Sequence, residues 1–172
     1  MRWLRVTATD AFARALADRH YPRENVGAKF FTPPGAKVVL RTQCGRAYWV
    51  SLFQLPEFTD HAWPGAWQCS AFRNESEHLS SALILDALAA TVDAWGQPPR
   101  EGMITFVDAA ATARRRSAWH QPGHCFRVVG FEDTEARTSR GYHVLRLAPA
   151  NFPMGRPAPR LQGALDLFGG AA

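Results

Sequence analysis

Apolar and polar positions change their spacing several times along this chain, and each change marks an element. Residues 3–9, WLRVTAT, alternate and predict a strand. Asp10 then stands where a helix N-cap belongs, and in AFARALADRHY the apolar residues recur at helical spacing. PRENVGAKFFTPPG is a loop with two aromatic residues at its centre. AKVVLRT and RAYWVSLFQL flank QCG and predict a β-hairpin. PEFTDHAWPG reads as another loop, and AWQCSAF as a further strand. The longest helical pattern is NESEHLSSALILDALAATVDAW, ended by Gly96 and then Pro98 and Pro99. GMITFVD predicts a short buried strand, and AAATARRRSAWHQPG is irregular. HCFRVVGF predicts a short helix running into a turn, and GYHVLRLAP the final strand.

That order describes a mixed α/β sheet. A strand, a long helix and a strand at its centre imply a parallel βαβ crossover, and the hairpin before them implies antiparallel pairing on one side. Residues 1–149 form the expected domain. Residues 150–172, opening with proline-rich sequence, form an expected flexible linker and tail.

Composition narrows the class. The 172 residues are 47% hydrophobic and 12% aromatic, enough for a substantial core and unlike a disordered chain. The longest apolar run, SSALILDALAATV, is broken by Asp86 and is too short to span a bilayer. MRWLRVTATDAF lacks the apolar core of a secretory signal. Cys44, Cys69 and Cys125 are scattered without CxxC spacing, which suggests reduced thiols rather than a disulfide frame or zinc site. A cytoplasmic protein with no membrane contact is expected; no metal ligand is assigned, and His20, His61, His120 and His124 leave the question of a metal open. The net charge of +5 suits a polyanionic partner, either nucleic acid or a phosphorylated cofactor.

Several residues carry candidate chemistry, each beside a plainer reading. His20 and Tyr21 end the first helix: they cap it through backbone contacts, or His20 stands in a cleft as proton acceptor. Asp108 closes the MITFV strand, as the N-cap of the next turn or as a group that orients an imidazole or accepts a proton. Arg73, Asn74 and Glu75 cluster at the end of another strand, as a capping turn or as substrate contacts with Glu75 a second base. Arg114, Arg115 and Arg116 followed by Trp119 form a solvated loop, or a patch suited to phosphates and bases. Phe30 and Phe31, after Lys29, belong to the core or stack on an extruded base.

The element order resembles the GNAT acyltransferase fold. Aligned with that family's Gly-x-Gly-x-Ala-Leu run, HLSSALI puts His78 and Ser80 at the glycine positions, where His78, Leu79, Ser80 and Ser81 would meet the cofactor pyrophosphate. PGHCFRVVGF resembles the family's late helix, with Phe126 where many members carry a tyrosine acid. A closer resemblance is to the Mom-like branch of phage DNA-modification proteins, carried by RHY (19–21), FRNE (72–75), SSALI (80–84), GMITFVD (102–108) and PGHCFRVVGF (122–131).

Membership implies transfer of a small acyl-derived group from acetyl-CoA or a related acyl-CoA to an exocyclic amine of a DNA base, adenine in the type case. It would make His20, Tyr21, Glu75 and Asp108 catalytic candidates. Lys29, Arg73, Asn74, Arg114, Arg115, Arg116 and Trp119 would be substrate contacts. An acetyltransferase of a small amine or protein lysine is one alternative, and a non-catalytic DNA- or clamp-binding accessory on the same fold is another.

The tail adds a partner. ALDLF resembles the bacterial sliding-clamp-binding pentapeptide, and Gln162, Leu165 and Phe168 also have the spacing of other clamp-binding boxes. With Leu167, these are the expected clamp anchors, presented on the proline-rich linker. The plainer reading is a short helix docked on its own body.

Overall fold

Six predicted strands, and a seventh that no apolar alternation announces, join into one mixed sheet. The computed structural model describes residues 3–21, 23–54, 57, 59, 61–112 and 121–157. In chain order the elements are β1 (Trp3–Val6), α1 (Ala11–Ala17), β2 (Ala36–Thr42), β3 (Ala47–Phe53), β4 (Trp67–Asn74) and α2 (Ser80–Trp95). There follow β5 (Met103–Val107), α3 (Ala109–Thr112), α4 (His124–Val129), β6 (Glu132–Arg137) and β7 (His143–Leu147). The strands lie in the order β1-β2-β3-β4-β5-β7-β6. Neighbours are antiparallel except β4 and β5, which α2 connects in parallel as the sequence order implies.

Two apolar layers sandwich the sheet. One gathers Leu83, Ala87 and Leu88 of α2 with Phe126 and Val129 of α4. The other gathers Ala13 and Leu16 of α1 with Phe31 and Tyr48. Strand β3 is buried from Ala47 to Leu52 because it is covered on both faces. The buried indole N–H groups of two tryptophans are paired: Trp3 Nε1 donates to the Leu83 carbonyl of α2 at 3.0 Å, and Trp49 Nε1 to Ser51 Oγ on its own strand at 2.7 Å. Asp86, which interrupts the apolar run of α2, accepts from Arg156 Nη2 at 2.6 Å. Among the described residues no helix is long and apolar enough to cross a membrane.

Element ends differ from the sequence pattern for local reasons. Strand β1 stops at Val6, since the chain turns for Asp10 to cap α1, its Oδ1 accepting from Ala13 N at 2.8 Å. Helix α2 starts at Ser80 rather than Asn74. The Asn74 side chain folds the polar residues before it into a turn, Oδ1 accepting from Ser76 N at 2.9 Å and Nδ2 donating to the His78 carbonyl at 2.7 Å. Strand β6, sequence EDTEAR, is an edge strand with a register shift between Asp133 and Arg137, where Glu135 takes a φ of 64°.

Candidate functional site

The sheet opens between its two parallel strands. Pairing of β4 with β5 ends at Cys69 and Thr105, where Thr105 Oγ1 donates to the Cys69 carbonyl at 3.1 Å. Beyond that rung β4 stays with β3 as far as Asn74, and β5 stays with β7 as far as Val107. The backbone groups facing the gap therefore need other partners.

The end of α1 supplies them. His20 Nε2 donates to the Phe72 carbonyl on β4 at 2.9 Å. The Tyr21 hydroxyl donates to the Phe106 carbonyl on β5 at 3.1 Å and accepts from Asp108 N at 3.3 Å. The two rings stack with centroids 4.6 Å apart. A cavity of about 1160 Å³ surrounds this plug, with His20, Tyr21, Phe72, Phe106 and Gly123 in its wall.

Because a carbonyl only accepts, the His20 proton resides on Nε2 and Nδ1 carries the lone pair. Nδ1 is buried and has no hydrogen-bond partner among the described residues. Burial lowers the imidazole pKa to about 4; the Phe72 bond opposes that shift and the Arg73 cation adds to it. His20 is therefore uncharged at neutral pH, with one buried acceptor atom left unpartnered among the described residues. Burial pushes the Tyr21 phenol up to about 12 and the Cys125 thiol up to about 11, so both stay protonated.

Glu75 is committed elsewhere. Its Oε2 accepts from Arg19 Nη2 at 2.8 Å and its Oε1 from Arg73 Nε at 2.6 Å. The Arg19 hydrogen bond, with Arg73 beside it, holds the carboxyl down at about 2. A carboxylate clamped by two guanidiniums is a poor proton acceptor, so the geometry assigns Glu75 to fixing the end of α1 against β4 rather than to acting as a base. Arg19, which completes this clip, stands in the RHY motif, but its pairing with Glu75 is not legible there because the partner lies 56 positions away.

Asp108 shows its plainer role: Oδ1 accepts from Ala110 N at 2.8 Å and Ala111 N at 3.0 Å, capping α3. Asn74 Nδ2 also reaches Ser80 Oγ at 3.0 Å, so it links the end of β4 to the start of α2. Leu79, the N-cap of α2, is exposed and offers no side-chain cap. The first N–H groups of that helix are thus left without side-chain partners from the cap, and Ser80 lines the cavity. His78 is exposed, whereas Ser81 is buried and does not line the cavity.

Helix α4 closes another wall. Gly123 precedes it at a φ of 71°, and a β-carbon there would lie 2.5 Å from Leu145 Cδ1, so only glycine fits. Phe126 is buried edge-on to Phe72 and Phe131 and has no proton to give. Phe31 is buried against Tyr48, which removes it as a stacking surface, while Phe30 is exposed with Lys29 Nζ 5.8 Å from its ring centroid.

Arg114, Arg115, Arg116 and Trp119 lie outside the described residues, as do Gln162, Leu165, Leu167 and Phe168. No protein-family model, curated protein or solved structure matches the chain.

Proposed function

We propose that the chain is an N-acyltransferase on the GNAT plan, taking an acyl group from acetyl-CoA or a related acyl-CoA to an exocyclic amine of a DNA base. The observation that carries this reading is the gap between β4 and β5: it holds a neutral imidazole whose buried Nδ1 has no partner among the described residues, and it adjoins the start of α2, which has no side-chain cap. The strand order, with its single parallel pair among the described residues, supports the GNAT assignment made from the sequence motifs.

The residues present fit an acyl-CoA at the head of α2. Backbone N–H groups of the first turn of α2, which has no side-chain cap, and the Ser80 hydroxyl would hold its pyrophosphate, and Arg19 and Arg73 pair with the Glu75 carboxylate on the same wall. When bound, the thioester supplies an activated acyl group.

The acceptor side is assigned to His20. Nδ1, shielded in the chain alone, would be uncovered as the base enters. It would take the amine proton as the C–N bond forms and the thioester C–S bond breaks, the CoA thiolate leaving to take a proton from solvent. The Nε2 bond to Phe72 keeps the ring oriented. A base with a pKa of about 4 is too weak to strip an alkyl ammonium at neutral pH. It suits a heteroaromatic amine, which is already uncharged and becomes acidic only as it reacts. That contrast favours a nucleobase over lysine. Asp108 and Tyr21 hold the β5 edge of the gap through their mutual contacts.

Lys29 and the arginine run at 114–116 are proposed phosphate contacts. Gln162, Leu165, Leu167 and Phe168 are proposed clamp anchors that rest on the sequence alone. Purified chain incubated with radiolabelled acetyl-CoA tests the acceptor: label is expected in nuclease-sensitive, acid-precipitable DNA. Label in added polylysine or spermidine, with none in DNA, would overturn the choice of acceptor.

A further inference from the structure

The loop of residues 23–33, between α1 and β2, is organised by one side chain. Arg23 Nε donates to Asp18 Oδ1 at 2.9 Å, and its terminal nitrogens donate to the carbonyls of Phe30 at 3.2 Å and Ala28 at 3.1 Å. This guanidinium is itself largely buried, so the backbone on both sides of Lys29 is fixed.

Consecutive phenylalanines then part. Phe31 turns inward, edge-on to Tyr48, with its N–H on the Ala8 carbonyl at 3.4 Å. Phe30 remains 62% exposed while lining the cavity. A phenyl ring held in water contributes nothing to the fold, so a rigid loop that presents one at a cavity mouth points to a ligand. Tyr21, Phe106 and Tyr142 belong to the same wall, with Tyr21 edge-on to Tyr142 at 5.9 Å. Phe12 is similarly exposed, and Arg41 lies over its ring at 5.0 Å much as Lys29 lies over Phe30 at 5.8 Å, but Phe12 lies off the cavity. Exposure alone therefore does not single out Phe30; its place in the wall does.

We infer that Phe30 is the stacking platform for the acceptor base, with the Lys29 ammonium beside it binding the neighbouring phosphate. The inference rests on the nucleobase reading above and adds the residue that selects a planar acceptor. Any apolar group packs on a phenyl ring, but only a flat ring stacks face to face, and the adjacent cation suits the phosphodiester that accompanies a base in a strand. Such a platform would also receive a base turned out of a duplex, whose amine is otherwise out of reach.

The test is equilibrium binding of the full chain, at low salt, to a fluorescein-labelled single-stranded oligonucleotide and to an abasic strand of equal length. Phe30→Leu, equally apolar but not flat, is expected to weaken binding of the base-bearing strand about fivefold or more and to leave the abasic strand unchanged. Phe30→Tyr should bind within about twofold of the wild type, and Lys29→Gln should weaken both strands. Thermal unfolding of Phe30→Leu should match the wild type, as the ring supports no core. Equal loss on both strands, or no loss on either, would overturn the platform while leaving the nucleobase reading in place. Failure of the wild type to bind either strand would overturn that reading and the platform with it.

Discussion

His20 and Tyr21 are neighbours in sequence, yet they bond to different strands: His20 to the Phe72 carbonyl of β4 and Tyr21 to the Phe106 carbonyl of β5. One dipeptide thus bridges the place where the sheet parts. The bridge serves the fold by satisfying two carbonyls that have lost their ladder, and it serves the site by setting an imidazole in the opening.

Tyr21→Phe removes one hydroxyl that serves both Phe106 and Asp108. The ring keeps its stack on His20, so the loss is that of hydrogen bonds alone. Unfolding in urea should show a destabilisation of about 0.5–1.5 kcal/mol with an unchanged m value.

His20 makes stability depend on pH. The unfolded chain protonates this histidine near 6.5, while the folded chain keeps it neutral down to about 4. As pH falls through that window the unfolded state gains the proton first, so stability drops, by roughly 3 kcal/mol at most. His20→Gln keeps a donor for Phe72 but cannot be protonated. Denaturation between pH 6.5 and 4 should therefore show a shallower loss for the variant than for the wild type.

Glu75 acts in a lower window. Its carboxyl is held at about 2 by Arg19 and Arg73, against an ordinary value of 4.5. The stabilisation is present above pH 4.5 and is lost as pH falls toward 2. Glu75→Gln should thus be less stable than the wild type at neutral pH, and the difference should shrink below pH 4.5. Equal destabilisation at both ends of that range would mean that the ion-pair clip is not the cause.

Gly123→Ala tests the wall formed by α4. The new β-carbon meets Leu145 and Val107 at a φ of 71°, so both strain and a clash follow. A loss of about 1–3 kcal/mol is expected in chemical denaturation.

Parts of this architecture are legible in the sequence. AKVVLRT folds as β2 from its first residue to its last, since a strand paired on both sides, here with β1 and β3, buries its contiguous Val38, Val39 and Leu40. The parallel crossover follows from the order of elements alone. Strand β6 is not legible, because EDTEAR borders the sheet and its pairing relies on backbone bonds to β7 rather than on a buried face. The start of α2 is misread because NESEHL looks like a capped first turn, whereas Asn74 spends both ends of its amide on a separate turn. At the site, sequence brings forward His20, Arg73, Asn74, Glu75 and Asp108, and all five lie around the gap. It does not distinguish a base from a structural carboxylate, since the second arginine of the Glu75 clamp, Arg19, is far away in the chain. Nor does it separate Phe30 from Phe31, whose different fates are set by Arg23 and Tyr48.

The most direct measurement is the mass of nucleosides from DNA of cells producing the wild type, compared with cells producing His20→Gln at equal soluble level. The account predicts a nucleoside heavier by one acyl-derived group in the wild type and its loss in the variant. An unchanged nucleoside profile in the wild type, or a modified nucleoside at equal yield in His20→Gln, would contradict it.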